Sequence, residues 1–501
     1  MNQYEEMNVN SGKLMLCLCN RILTCEISNE YTLPDYQPEI RRVLGVREHI
    51  LPPAKYVTSD SAEINGGVDY SLIYIGADGE LYSAPLSAEY SASVPFEAVD
   101  SVDRSMPVSI AVNIDAENIT ARVTAPRKLS IRCRMNCHVR AFGWAEMEEE
   151  RDGGVSPVSV HRLMRDVEFA KVSTGVSDML EVSDEISASD DCRVVSANAD
   201  VVIGDMNWER DGTSVRGDVV LKLLCTNESG EYSTTVRRLP FSENIDIDGS
   251  AAPQIKRVKG SVGNINISLD EGKICSKVGY FIEAEGVEQS SFSYTADMYS
   301  TEKICRPEYE RVEVPTTLKS IDASVSQSER VAIGDTNIPP QGEIIEVCAK
   351  AVINNVSFEN GRCVLSGEGR YALICRNDGE FISSDLKLPF RYETDCDTEA
   401  QGMRENAAIS CSVHDCRVRT DGETLSVDSE ICMSGMIFGE TVIERVSLAH
   451  MGENIERRGS DIVICYPSSG ESVWSVAKRY LVAPKDVMGN PESDRYCIIQ
   501  M

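Results

Sequence analysis

The sequence predicts a mainly β fold: three tandem, related β-sandwich or barrel-like domains followed by a small βααβ module. Three observations predict it. A strand, turn and strand motif occurs three times at domain spacing, each copy closes on a segment of period-two alternation, and near Asp461 the pattern changes to helical spacing.

The first copy runs Tyr70-Ser71-Leu72-Ile73-Tyr74, a turn at Asp78-Gly79-Glu80-Leu81, then Val94-Pro95-Phe96. The second has Val220-Leu221-Lys222-Leu223-Leu224, Ser229-Gly230-Glu231-Tyr232 and Leu239-Pro240-Phe241. The third has Tyr371-Ala372-Leu373-Ile374-Cys375, Asp378-Gly379-Glu380-Phe381 and Leu388-Pro389-Phe390. An Asp-Gly or Ser-Gly pair tolerates positive φ, so each copy reads as a β-hairpin. The prolines are expected to end strands, where a missing amide donor does least harm, and the phenylalanines to plug the core.

Each hairpin leads to a half-buried strand. In the first copy Leu129, Ile131, Cys133, Met135, Cys137 and Val139 share one face, and Ser130, Arg132, Arg134, Asn136 and His138 the other. The equivalents run from Ile274 to Gly286 and from Leu425 to Gly439, after turns at Asp270-Glu271-Gly272 and Asp421-Gly422-Glu423. The repeat places domains at 1–145, 146–290 and 291–445. The polar run from Glu146 to Gly154 reads as a linker or short solvated helix.

The last module is expected at 460–501. A short strand, Ile462 to Tyr466, precedes Gly470-Glu471-Ser472, and Val473, Val476, Ala477 and Tyr480 then fall on one helical face. Trp474, Lys478 and Arg479 point elsewhere. Pro484 is placed to start a second short helix through Met488, which Gly489 and Asn490 can end, and Tyr496 to Met501 supplies a closing strand. Trp474 beside Lys478 is the combination of rigid aromatic and cation common at binding hot spots.

The charge balance and the functional groups exclude several classes. Asp and Glu total 80 against 49 Lys and Arg, a net charge of −31 that repels phosphate backbones and anionic lipid headgroups, so no nucleic-acid partner is expected. No basic leader with a small-residue cleavage site is visible, and the apolar burst Leu14 to Cys19 is too short to span a bilayer; a cytoplasmic chain without membrane insertion is the expectation. Eighteen scattered cysteines fit reduced thiols in strands better than a disulfide framework. The five histidines, His49, His138, His161, His414 and His450, lie in no nucleophile or metal motif. In Cys411-Ser412-Val413-His414-Asp415-Cys416 a strand would turn Cys411 and His414 to opposite sides. No Walker or dinucleotide glycine loop occurs. The expectation is a non-enzymatic protein with no cofactor and no metal.

Ser469 to Tyr480, continued by Val482, Asp486, Val487 and Asn490-Pro491, resembles a LysM domain; only Glu492 to Arg495 separate Asn490-Pro491 from the last strand, where the family's loop is longer. Pro34-Asp35-Tyr36-Gln37-Pro38-Glu39-Ile40-Arg41-Arg42-Val43, the three hairpin copies and Met298-Tyr299-Ser300-Thr301-Glu302 resemble the SPOCS domains of spore-forming Firmicutes. Three SPOCS domains ahead of a LysM module is similar to the SipL-type family of spore-coat morphogenetic proteins. The resemblance implies a scaffold in the mother-cell cytoplasm at the forespore surface. Its partner would be a coat-basement morphogenetic ATPase (SpoIVA-like), engaged through the LysM module. Gly470, Glu471, Ser472, Trp474, Lys478, Asn490 and Pro491 are the expected partner- or glycan-binding residues. The alternative is a cell-wall protein in which the same residues hold peptidoglycan-type N-acetylglucosamine polymers.

Overall fold

In the computed structural model the described residues are 12–97, 102–103, 105–147, 159–189, 192–209, 212–247, 253, 255–396, 404–456 and 462–500. The polar run 148–154, Asp461 and Met501 lie outside them. The chain is mainly β, in several antiparallel sheets.

The first module comprises β1 (Gly12–Thr32), β2 (Ile40–Ile50), β3 (Ala54–Val57), β4 (Ser61–Gly76), β5 (Leu81–Pro95), β6 (Ser109–Ala125) and β7 (Lys128–Met147). One sheet has the order β1-β7-β6, and in the other β4 pairs with β2, β3 and β5. The second module comprises β8 (Val160–Val176), β9 (Leu180–Ser187), β10 (Arg193–Glu209), β11 (Gly212–Thr226), β12 (Tyr232–Ile245), β13 (Ile255–Asp270) and β14 (Lys273–Ser300). Here β14 lies between β13 and the pair β8 and β9, while β10-β11-β12 form the other sheet. The third comprises β15 (Lys303–Ala332), β16 (Glu343–Glu359), β17 (Arg362–Asn377), β18 (Glu380–Asp395), β19 (Arg404–Asp421) and β20 (Thr424–Asn454), in sheets β15-β20-β19 and β16-β17-β18. All three modules thus share one plan. The last strand is central in the first sheet, and the long first strand of the hairpin is central in the second.

The expected hairpins form, with Gly79, Gly230 and Gly379 at φ of +90°, +73° and +81° in their turns. The alternating face of β7, Leu129 to Val139, is buried to 1 % exposure or less. Two details of the repeat differ from the sequence reading. Pro240 and Pro389 lie inside β12 and β18 instead of ending them, because both are edge strands whose outward side needs no amide donor. The aromatic that matches Phe241 and Phe390 in the first module is Tyr90, not Phe96. Phe241 lies across Gly217 and Phe390 across Gly367, each pair directly opposed between neighbouring strands, and Tyr90 lies across Gly66 in the same way. A Cβ at any of these glycines would stand less than 3 Å from the ring, so glycine is what lets the aromatic lie flat on the sheet.

All three expected domain boundaries fall inside strands, the first by two residues because β7 runs to Met147 paired with Gly12. β14 runs uninterrupted through residue 290 to Ser300, paired with β8 as far as Val160, and β20 runs past 445 to Asn454 against Lys303 of β15. Backbone pairing carries through these strands, so no break in the ladder marks where the neighbouring module begins.

The modules close on one another. β2, β10 and β16 each have a bulge at the same position, which skips Leu44, Val195 and Ile345 in the pairing. These residues meet Ile73, Leu224 and Ile374 from the three central strands and Leu81, Tyr232 and Phe381 from the three returning strands in one apolar cluster. Every module contributes the same three positions, as in a cyclic trimer written into one chain. The polar contacts around the cluster run cyclically. Arg42 donates to the Phe381 carbonyl, Arg193 to the Leu81 carbonyl at 3.2 Å, and Arg376 to the Gly230 carbonyl. One residue beyond the bulge of β16, Glu346 accepts from Ser196 Oγ at 2.8 Å and pairs with Arg47 at 2.8 Å, so one buried carboxylate joins all three modules. A second shared cluster on the first sheets gathers Leu14, Phe142, Val167, Phe292, Val314 and Met436.

Truncating Phe381 (3 % exposed) removes apolar volume from all three modules at once. Phe381→Ala is expected to cost about 3–5 kcal/mol in denaturant unfolding. Hydrogen exchange should rise in the hairpins of all three modules; a rise confined to β17 and β18 would contradict the shared cluster.

Candidate functional site

The C-terminal module holds β21 (Ile462–Cys465), α1 (Val473–Tyr480), β22 (Val487–Met488) and β23 (Cys497–Gln500), with the sheet order β21-β23-β22. Helix α1 starts where the sequence reading placed it, because Ser472 caps it: its Oγ accepts from Ser475 N at 3.2 Å. Leu481 ends it in the left-handed region at φ +54°. Val476 and Ala477 are buried against Cys465, Val482, Cys497 and Ile499, with Val473 and Tyr480 at the margin, which is the expected buried face. The expected second helix is instead one 3-10 turn, Pro484–Asp486, followed at once by β22. Ala483 offers no side-chain cap, Pro484 no amide donor, and the β-branched Val487 pairs with Ile499 in the sheet.

The seven expected binding residues divide into two groups. Gly470, Glu471, Ser472, Asn490 and Pro491 serve the module's own turns. Gly470 takes φ +79°, Glu471 accepts from Ser468 N at 2.9 Å and pairs with Arg479 at 3.0 Å, and Ser472 is the cap. Asn490 accepts from Glu492 N at 3.1 Å while its own N–H donates to Asp494 at 2.7 Å, and Pro491 is buried. These bonds close the short loop after β22.

Trp474 and Lys478 do come together, on one turn of α1, but they face the second module. Trp474 Nε1 donates to Asp297 Oδ2 at 2.9 Å, and Lys478 Nζ donates to Oδ1 and Oδ2 at 2.6 and 2.8 Å. Tyr309 Oη and the Met298 amide donate to Oδ1 at 2.7 and 2.8 Å. A single carboxylate thus accepts five hydrogen bonds. Burial alone would raise the Asp297 carboxyl, but the bonds from Lys478, Trp474 and Tyr309 outweigh it and hold it below its ordinary value. Tyr299 completes the joint: its ring meets Trp474 edge-on at 5.0 Å and its hydroxyl donates to the Val482 carbonyl at 2.7 Å. Asp297, Tyr299 and Tyr309 were not singled out as functional residues from sequence, although Met298-Tyr299 stood in a quoted motif. Nothing local to residue 297 announces that its partner lies at 474.

With α1 turned to the frame, the sheet of the module faces outward. Ile462, Ile464 and Tyr466 are 62, 58 and 70 % exposed, and Met488 and Tyr496 each 52 %. Ile464 and Met488 both pair with Ile498, so the three side chains form one row across β21, β23 and β22. Monomeric proteins rarely leave so many large apolar side chains together in water. Elsewhere, the Cys411 to Cys416 segment splits as the strand reading requires: Cys411 packs on the third module's core, while His414 meets Ser412 Oγ at 3.1 Å and Cys432 Sγ at 3.5 Å. Among the described residues, no helix is long and apolar enough to cross a membrane.

Asp297→Ala is expected to cost docking of the terminal module about 2 kcal/mol, since charge-assisted bonds are lost at a joint where Lys478 is partly solvated. Faster amide exchange across α1, with the frame unchanged, would register it. The pH dependence follows the lowered carboxyl. Docking is fully supported above the unfolded Asp value of about 3.9 and lost as pH falls through the lower folded value. Protection factors in α1 that hold constant from neutrality down to about pH 3.9 and fall only below it agree; loosening near neutrality does not.

Compared with protein-family models, curated proteins and solved structures, the chain has no match.

Proposed function

We propose that the chain is a non-enzymatic scaffold of spore-coat assembly, three SPOCS-like sandwiches carrying a LysM-like module that binds a coat-basement morphogenetic ATPase. The observation that carries this reading is the division of labour in the terminal module. Its aromatic and cationic side chains, Trp474 and Lys478, fix it to the frame, and its outer side presents Ile464 and Met488 from the sheet and Tyr466 just after β21 to solvent. A module held rigidly at one face and apolar at the other suits protein docking, where buried apolar and aromatic side chains supply most of the binding energy. Trp474 meets Tyr299 edge-on with its N–H bonded, which leaves it little to offer a sugar ring and favours a protein partner over a wall glycan.

The test compares intact chain with Ile464→Glu and Tyr466→Ser in binding to the purified morphogenetic ATPase. Each substitution is expected to weaken binding about tenfold or more, corresponding to at least about 1.4 kcal/mol. Equal affinity in both variants would refute the reading. Saturable binding of chitin oligomers by the intact chain, lost on Trp474→Ala, would replace it with the glycan alternative.

A further inference from the structure

The joint between the first and second modules buries two guanidiniums around one carboxylate. Arg140, Arg257 and Glu285 are 4, 8 and 6 % exposed. Arg140 Nη2 donates to both Glu285 oxygens at 2.9 and 3.1 Å, and Arg257 Nη1 stands 3.6 Å from one of them. The remaining Arg257 partners are neutral: Nη1 donates to Asn113 Oδ1 at 3.0 Å and Nη2 to Ser410 Oγ at 2.6 Å. Glu283 and Asp115 favour the Arg257 charge from farther away, but among the described residues Glu285 is the one carboxylate at ion-pair distance from either guanidinium and is shared by both, an arrangement that is costly to bury and that a further anion would relieve.

Beside this trio is a small half-open recess of about 30 Å³ lined by Asn113, Arg257, Lys259, Lys55, Glu283 and Glu285 among others. Its carboxylates already have cations: Glu285 has Arg140, and Glu283 has Lys55 at 3.9 Å. Its donors are not all used. Arg257 Nε and Asn113 Nδ2 are buried without a hydrogen-bond partner, and Lys259 makes no ion pair among the described residues. Both orphaned donors belong to side chains more than nine-tenths buried. Leaving such groups unpaired is costly, and what they lack is an acceptor. In a chain of net charge −31 this is a local excess of positive charge enclosed by protein.

We propose that the recess binds a small oxyanion, of the class of phosphate, sulfate or a carboxylate, between the first two modules. Arg257 and Asn113 supply N–H donors and Lys259 a mobile ammonium at the mouth. The bound anion neutralises the surplus guanidinium and ties β6 of one module to β13 of the next.

The test is titration of the full chain with sodium phosphate, sulfate and acetate, each at ionic strength held constant with sodium chloride, followed by thermal unfolding and calorimetry. Any of the three anions is expected to raise the unfolding midpoint saturably, as ligands of the native state do. Lys259→Ala, at a half-buried strand position, should fold normally and weaken the half-saturating concentration about tenfold. Asn113→Asp, which replaces a donor with a negative charge, should abolish the effect. A midpoint that follows ionic strength alone means the recess holds only water and overturns the proposal. So does saturable binding of equal strength in the Lys259 variant.

Discussion

The fold depends on a place where no single module can bury its own surface. At the bulges of β2, β10 and β16, Leu44, Val195 and Ile345 leave the ladder and join one apolar cluster. They are buried, wholly or in part, only because the other two modules bring Ile73, Leu224, Ile374, Leu81, Tyr232 and Phe381 to the same spot. A hydrophobic contribution of about 1.5–3 kcal/mol per buried large side chain is thereby shared three ways. The bulge is what makes this possible, since an extra residue both re-aims its side chain and bends the strand toward its neighbours. Around that apolar cap, the carbonyls reached by Arg42, Arg193 and Arg376 give direction to a contact that apolar packing alone leaves unspecified.

From this closed frame the terminal module inherits its orientation. Asp297 lies at a bulge near the end of β14, a strand whose other half is central to the second module. The carboxylate is held in place by the sheet and by Tyr309 from β15. Trp474 and Lys478 are therefore docked on a preorganised acceptor instead of ordering a loop, and little conformational entropy is lost at the joint. The consequence for function is geometric. With one face of the module committed to Asp297 and Tyr299, its outward face is the sheet row of Ile464, Ile498 and Met488.

Much of the frame was legible because its signals are local. Positive-φ glycines at 79, 230 and 379 and strict alternation from Leu129 to Val139 each act within a few residues, and the structure places hairpins and buried strands there. The register of the first copy was not legible. Matching Pro95-Phe96 to Pro240-Phe241 follows the letters, but β5 continues past the aromatic position, and the ring that lies on the opposed glycine is Tyr90. The boundary expected at 290 failed because the polar run Glu288-Gln289-Ser290-Ser291 looks like a break in the letters, whereas β14 continues through it paired with β8. In the terminal module the cap at Ser472 and the buried face of α1 could be read from spacing. The role of Trp474 could not, because its partner is 177 residues away and set by how two modules meet.

Whether the three groups of strands form one closed body is decided most directly by small-angle scattering from the intact chain in dilute solution. A single body of 501 residues has a radius of gyration of about 23 Å. The shared cap requires a value close to that. A radius above about 30 Å, as expected of three such groups strung end to end, would contradict it.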